Sequence, residues 1–122
     1  MINEKYNNLI ERIEEIAKLD DDWDGYNAPK ISNEVINISL ETLDTLYKYD
    51  LLPDEITPTP RGCISFEWGV LDDTNYFYLE FDENEFGIYY TKDGKTKSED
   101  VDMKTLILRL HYFFDFDTHK LL

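Results

Sequence analysis

The chain has 122 residues, of which 42% are apolar and 15% aromatic. This is a natural size for a single domain spanning residues 1–122, with enough apolar surface to fold without disulfides. Lys and Arg number 12 against 27 Asp and Glu, which gives a net charge of −15. That charge opposes direct binding to nucleic acid or anionic lipid and points to basic partners, to cations or to solubility alone.

The cysteine content and the first residues bear on the compartment. Cys63 is the only cysteine, so no intrachain disulfide can form and a reducing compartment fits. The first five residues contain no apolar segment, from which we expect no signal peptide. No apolar run approaches the length of a membrane span. We therefore expect a cytoplasmic protein that does not bind membranes.

Two helices are predicted in the first half of the chain. Apolar residues recur at spacings of three and four from residue 2 to residue 17. A second helix should begin after Ser32, a good N-cap, and fray near Asp50. An acidic loop, residues 20–26, separates the two helices and contains Gly25. Three prolines between residues 53 and 60 predict a stretch without regular structure.

Three strands with alternating apolar residues follow, over residues 64–70, 76–81 and 86–91. Their apolar faces match in an antiparallel meander in which Phe66 faces Leu79 and Leu79 faces Ile88. Trp68 shares the apolar face of Phe66, so we expect it to be buried between sheet and helices. Asp93-Gly94 is a strong hairpin signal, which allows a short fourth strand near residues 95–98.

A third helix is expected over residues 101–114, with Asp100 or Asp102 as its N-cap and an apolar stripe that ends at Phe114. The order of elements predicts an α+β fold. It consists of two N-terminal helices, a meander of three or four antiparallel strands and one C-terminal helix, with the helices on one face of the sheet.

The acidic loop matches part of a calcium-binding loop. Asp20, Asp22, Asp24 and Gly25 fit the first half of the EF-hand pattern D-x-D-x-D-G. The twelfth position requires a bidentate Glu and holds Ile31 instead. Two interpretations stay open: a cation site with the three aspartates as ligands, and an acidic helix end followed by a tight turn.

The face of the predicted sheet opposite the core is the second candidate site. Glu67, Glu80, Tyr76, Tyr78 and Tyr89 should all project from it. Tyr is favoured at interfaces because it combines a large contact area with a polar tip, although β-propensity alone also places Tyr on sheets. A glycosidase pair of Glu67 and Glu80 would require a cleft between two carboxyls at a defined separation.

Residues suited to other catalysis are few. Cys63 has only His111 and His119 as possible partners, and we expect Cys63 to be a small strand residue and His111 to lie on a helix surface. No serine elbow, H-E-x-x-H motif or phosphate-binding glycine loop is present. We therefore predict a protein without enzymatic activity and without a cofactor.

Two segments, WDGYNAP at residues 23–29 and PTPRGCISFEW at residues 58–68, resemble a group of small bacterial proteins with the patterns W-D-x-Y-x-A-x-P and P-x-x-G-x-(I/V)-x-L-E-W. The resemblance covers residues 19–90. Here proline directly follows Ala28, Lys30 stands where Pro is more usual, and Phe66 replaces Leu. The group has no established activity, so the resemblance supplies no catalytic residues.

The resemblance implies a shared framework and no shared metal loop at Asp20 and Asp22. Such proteins are often encoded in mobile elements, so the resemblance also implies a role in defence or counter-defence. The implied framework residues are Trp23, Tyr26, Pro60, Gly62, Glu67 and Trp68.

The function expected from these observations is a non-enzymatic acidic module that binds a basic protein partner and does not bind nucleic acid directly. An antitoxin, an immunity protein and a phage-type inhibitor are versions of this class. A small-ligand or cation-binding domain that uses the acidic loop is the alternative, and a small hydrolase is the third hypothesis.

Overall fold

A computed structural model describes residues 3–69 and 74–114 of the protein. Three helices and five strands lie in these ranges, and the strands form one antiparallel sheet in chain order. The predicted α+β fold is confirmed, with five strands in place of three or four. In chain order the elements are α1 (Glu4–Ala17), α2 (Asn33–Lys48), β1 (Glu55–Pro58), β2 (Ile64–Trp68), β3 (Tyr76–Phe81), β4 (Phe86–Lys92), β5 (Lys95–Asp100) and α3 (Met103–Phe113).

Each helix begins at a polar residue whose side chain accepts a hydrogen bond from a free backbone N–H. Asn3 accepts from Tyr6 in α1, and the predicted caps Ser32 and Asp102 begin α2 and α3. These bonds satisfy donors that the first helical turn leaves without partners. None of the three helices described is both long and apolar enough to cross a bilayer.

The strand register agrees with the predicted meander. Phe66 lies opposite Leu79, and Leu79 lies opposite Ile88. The hairpin at Asp93-Gly94 is confirmed: both residues have positive φ, 52° and 79°, as a type I′ turn requires. It leads into β5, which extends the expected fourth strand to Asp100.

Strand β1 corrects the expectation that the prolines between residues 53 and 60 exclude regular structure. Ile56 lies opposite Phe66 and Pro58 opposite Ile64. Strand β1 is an edge strand, where a residue without an N–H is tolerated because one side of the strand has no neighbour. Buried and more exposed side chains also alternate along β1, since Ile56 is buried and Glu55 is exposed.

The core lies between one face of the sheet and the helices. Trp68 is 1% exposed, as predicted, and its Nε1 donates to the Leu51 carbonyl at 2.9 Å. In α3 the buried aromatic residue is Phe113, whereas Phe114, placed in the apolar stripe by sequence, is 41% exposed. Val70, predicted to continue the apolar face of β2, lies outside the described residues.

Candidate functional site

The face of the sheet that points away from the core carries all five residues predicted for it. Glu67 lies opposite Tyr78, which in turn lies opposite Tyr89 on the next strand. Tyr76 and Glu80 flank Tyr78 on the same side of β3, because side chains alternate along a strand. We call this patch of Glu67, Tyr76, Tyr78, Glu80 and Tyr89 the tyrosine–carboxylate face.

Hydrogen bonds tie the phenols of this face to its carboxylates. The Tyr78 hydroxyl donates to Glu80 Oε1 at 2.8 Å, and Tyr76 is hydrogen-bonded to Glu67. The rings of Tyr76 and Tyr78 are stacked with their centroids 6.5 Å apart. Burial, followed by the hydrogen bond and charge of Glu80, raises the pKa of Tyr78 to about 12. Burial and then the charge of Glu67 raise the pKa of Tyr76 well above its ordinary value.

A basic side chain from outside the strands joins this face. Arg61 forms an ion pair with Glu80, and the hydrogen bond to Glu80 raises the pKa of Arg61. The Arg61 side chain is 73% exposed, whereas that of Glu80 is 19% exposed. Arg61 lies in the turn before β2, in which the Gly62 N–H donates to the Thr59 carbonyl. No local pattern predicts this contact, because the partners are 19 residues apart.

A cleft of about 240 Å³ opens on this face around Gly87. Gly87 lies between Glu80 on β3 and Asp100 on β5, and a Cβ built on it would stand 3.7 Å from Asp100 Oδ1. Tyr78 and Tyr89 also line the cleft. The missing side chain of Gly87 therefore leaves room between two carboxylates and two phenol rings. A glycine in the middle of a strand is the sequence signal for such a gap.

The acidic loop directs its carboxylates to its own backbone. Asp22 Oδ1 accepts from Asn27 N at 2.7 Å, and Asp24 Oδ1 accepts from Tyr26 N at 2.8 Å and from Ala28 N at 3.1 Å. These bonds account for the spacing of Asp22 and Asp24 without a cation. Within residues 3–69 and 74–114, no group of three or more His, Cys, Asp or Glu side chains is placed to hold a metal ion.

The acidic loop lies beside the turn that carries Arg61. A Cβ built on Gly62 would meet Pro29 Cγ at 3.5 Å. The loop is also held by Trp23, whose Nε1 donates to the Pro29 carbonyl at 2.9 Å. Tyr26, a framework residue by resemblance, lies in this loop and is 87% exposed, so it takes no part in core packing.

The structure does not bring Cys63 and His111 together. His111 is 4% exposed, with Nδ1 2.9 Å from the Ile107 carbonyl, so the expectation of a helix-surface residue is wrong. Its ring meets that of Tyr49 edge-on, on the helix side of the sheet. Cys63 directly precedes β2 and lines the cleft, and burial raises the pKa of its thiol. His119 lies outside the described residues.

No family model matches this chain, and neither the curated proteins nor the solved structures contain a match to it. The tyrosine–carboxylate face and the cleft around Gly87 are the features of this chain that bear on function.

Proposed function

We propose that this protein is a non-enzymatic binding module that docks a basic protein on its tyrosine–carboxylate face. The observation that carries the proposal is the composition of that side of the sheet. The five described strands contribute Glu55, Glu67, Glu80 and Asp100 to it and no basic residue. Such a surface attracts a basic partner and speeds its association.

The tyrosines supply contact area on this face. Tyr89 is 44% exposed, and Tyr76 and Tyr78 are half-buried against their neighbours. Because the hydroxyls of Tyr76 and Tyr78 are held by carboxylates, their rings lose little rotational freedom when a partner binds. Rigid aromatic side chains of this kind are enriched among the residues that dominate binding energy.

The cleft around Gly87 is the proposed anchor point for a Lys or Arg side chain of the partner. A guanidinium placed there would meet the Asp100 carboxylate and the rings of Tyr78 and Tyr89, combining charge-assisted hydrogen bonds with cation–π contact. The pairing of Arg61 with Glu80 on the same face is an intramolecular example of this contact.

Two features favour binding over hydrolysis. The pKa of Tyr76 and that of Tyr78 are raised, whereas a tyrosine that acts as a base requires a lowered pKa. Glu67 and Glu80 both accept hydrogen bonds from these phenols. A glycosidase pair would instead leave its carboxyls facing a shared substrate.

An acidic surface of this kind can occupy a cleft that normally holds nucleic acid, because both present negative charge to the same basic residues. Antitoxin, immunity protein and phage-type inhibitor are the settings in which we propose that it acts. In each of them the protein blocks its partner by covering a surface and performs no chemistry of its own.

The test is capture of partners from host lysate, followed by binding kinetics with the captured protein at low salt and at about 150 mM salt, where the Debye length is about 8 Å. We expect Tyr89→Ala to increase the dissociation rate, because it removes desolvated contact area. We expect Glu80→Lys to slow association at low salt, because it reverses a charge that steers the partner.

Matched controls carry the same chemical changes on the helix side. Tyr47→Ala removes a tyrosine of α2 that is 37% exposed, and Glu41→Lys reverses an exposed charge on the same helix. Both controls should bind as the parent does. A partner that is indifferent to Tyr89→Ala and Glu80→Lys, or equally sensitive to the controls, would reject the proposed surface.

A further inference from the structure

The two edges of the sheet differ in what covers them. At β1, the Arg12 Nε donates to the Ile56 carbonyl at 2.9 Å, and Pro58 has no N–H to offer. Helix α1 also packs along this strand. At β5, residues 95–98 and 100 are exposed and Glu99 is half-buried. Strand β1 is therefore a closed edge, and β5 is an open one.

The hairpin geometry identifies which backbone groups of β5 point outward. Lys92 and Lys95 close a two-residue turn, so they form a hydrogen-bonded pair and every second residue after Lys95 bonds to β4. The Val101 N–H, which donates to the Phe86 carbonyl at 2.9 Å, follows this alternation. The N–H and C=O groups of Thr96, Ser98 and Asp100 consequently face away from the sheet.

We infer that β5 pairs antiparallel with β5 of a second copy of this chain, about a two-fold axis at Ser98. Outward-facing residues must lie opposite each other in such a ladder. This requirement places Ser98 opposite Ser98 and Thr96 opposite Asp100 of the second copy. The two five-stranded sheets then form one sheet of ten strands.

The charges along β5 select this register. It places Lys97 of each copy opposite Glu99 of the other, in the closely spaced pairs that lack backbone hydrogen bonds. A shift of two residues in one direction would put Lys97 opposite Lys97, and a shift in the other direction would put Glu99 opposite Glu99. The central register pairs opposite charges twice and is the one of the three that places no like charges opposite each other.

The surface next to β5 on the helix side enlarges the contact. A groove of about 1000 Å³ runs from Lys97 and Glu99 to Met103 and Leu108 of α3, and Leu108 is 42% exposed. In the paired arrangement this apolar surface faces the second copy across the two-fold axis. The net charge of −15 per chain opposes association at low salt, and about 0.15 M salt screens it beyond about 8 Å.

The experiment measures the mass of the full chain in solution at about 0.15 M salt by light scattering and sedimentation. The parent and Ser98→Ala should have twice the monomer mass of 14.5 kDa. Ser98→Pro should weaken the dimer by about tenfold or more, because it removes an outward N–H. It leaves the β4–β5 ladder intact, so its circular dichroism should match that of Ser98→Ala.

A charge reversal provides a test that does not depend on proline. Lys97→Glu should weaken the dimer, because it places two carboxylates opposite each other, whereas Lys97→Arg, which keeps the charge, should not. The reversal is not extended to Glu99, because its carboxylate is ion-paired with Arg109 of the same chain. Either of two results would overturn the inference: a parent that stays monomeric, or a dimer that Ser98→Pro and Lys97→Glu leave unchanged. The lysines of β5 would then be residues that prevent pairing of an exposed edge strand. The binding kinetics of the proposed partner surface are a separate readout, since they follow a partner protein, whereas the mass measurement uses this chain alone.

Discussion

Trp68 illustrates how a single side chain fixes the orientation of the sheet. It is 1% exposed, its ring meets Phe77 edge-on at 5.4 Å, and its indole N–H donates to the Leu51 carbonyl. Trp68→Ala would remove this packing and leave the carbonyl without its donor. We expect it to lower the free energy of unfolding by about 3–5 kcal/mol, measured by urea denaturation with circular dichroism as the probe. Trp23→Ala, in the surface loop, is the control, and a Trp68→Ala protein as stable as the parent would contradict the strand faces described here.

Tyr78 makes stability depend on alkaline pH. Its pKa is raised from 10.0 to about 12 in the folded protein, so the folded state holds the phenolic proton more tightly than the unfolded state. The resulting stabilisation is complete below pH 10.0 and is lost as the pH rises towards about 12. We expect the urea midpoint to fall less steeply over this range in Tyr78→Phe than in the parent. Tyr112→Phe, an exposed tyrosine of α3, should behave as the parent does, and equal slopes in all three proteins would contradict the assignment.

At the scale of the elements, alternation and helix periodicity predicted most of the fold. The faces of β2, β3 and β4 followed from their apolar pattern, because a one-residue slip would expose the core side of each strand. The same pattern placed the five residues of the tyrosine–carboxylate face together. The caps Ser32 and Asp102 were predictable because their side chains satisfy local backbone donors.

Features that depend on distant contacts were not predictable in this way. Strand β1 is only four residues long and contains Pro58, so its local signals indicate a loop, and only pairing with β2 makes it a strand. His111 is buried, and its ring meets that of Tyr49, which lies far away along the chain. The ion pair of Arg61 with Glu80 joins a turn to a strand, and no spacing rule connects the two.

The acidic loop is an element held by its own carboxylates, and this has a measurable consequence. Asp24 accepts two backbone hydrogen bonds, so Asp24→Ala should destabilise the protein by about 1–3 kcal/mol and shift the emission of Trp23. The control Asp20→Ala changes an exposed residue and leaves these bonds intact. We expect neither protein, nor the parent, to show a saturable calcium response. Thermal denaturation measures the stability of each variant, and Trp23 fluorescence measures its response to calcium. A calcium-selective signal that is lost in Asp22→Ala would restore the cation-binding hypothesis.

At the scale of the whole molecule, the charges of the strands are separated by face. Lys92, Lys95 and Lys97 belong to the helix-side alternation of β4 and β5, while the opposite side carries Glu55, Glu67, Glu80 and Asp100. In the function we propose, this asymmetry orients the approach of a basic partner towards the acidic side before any contact is made.

Arg12 determines the stoichiometry of the assembly. Its hydrogen bond to the Ile56 carbonyl, together with Pro58, leaves β1 unable to accept another strand. A sheet that can be extended only at β5 is complete when two copies have joined, whereas one that can be extended at both edges continues into a filament. The hydrogen bond made by the Arg12 side chain thus helps to block the β1 edge, and pairing of sheets through their edges stops at a dimer.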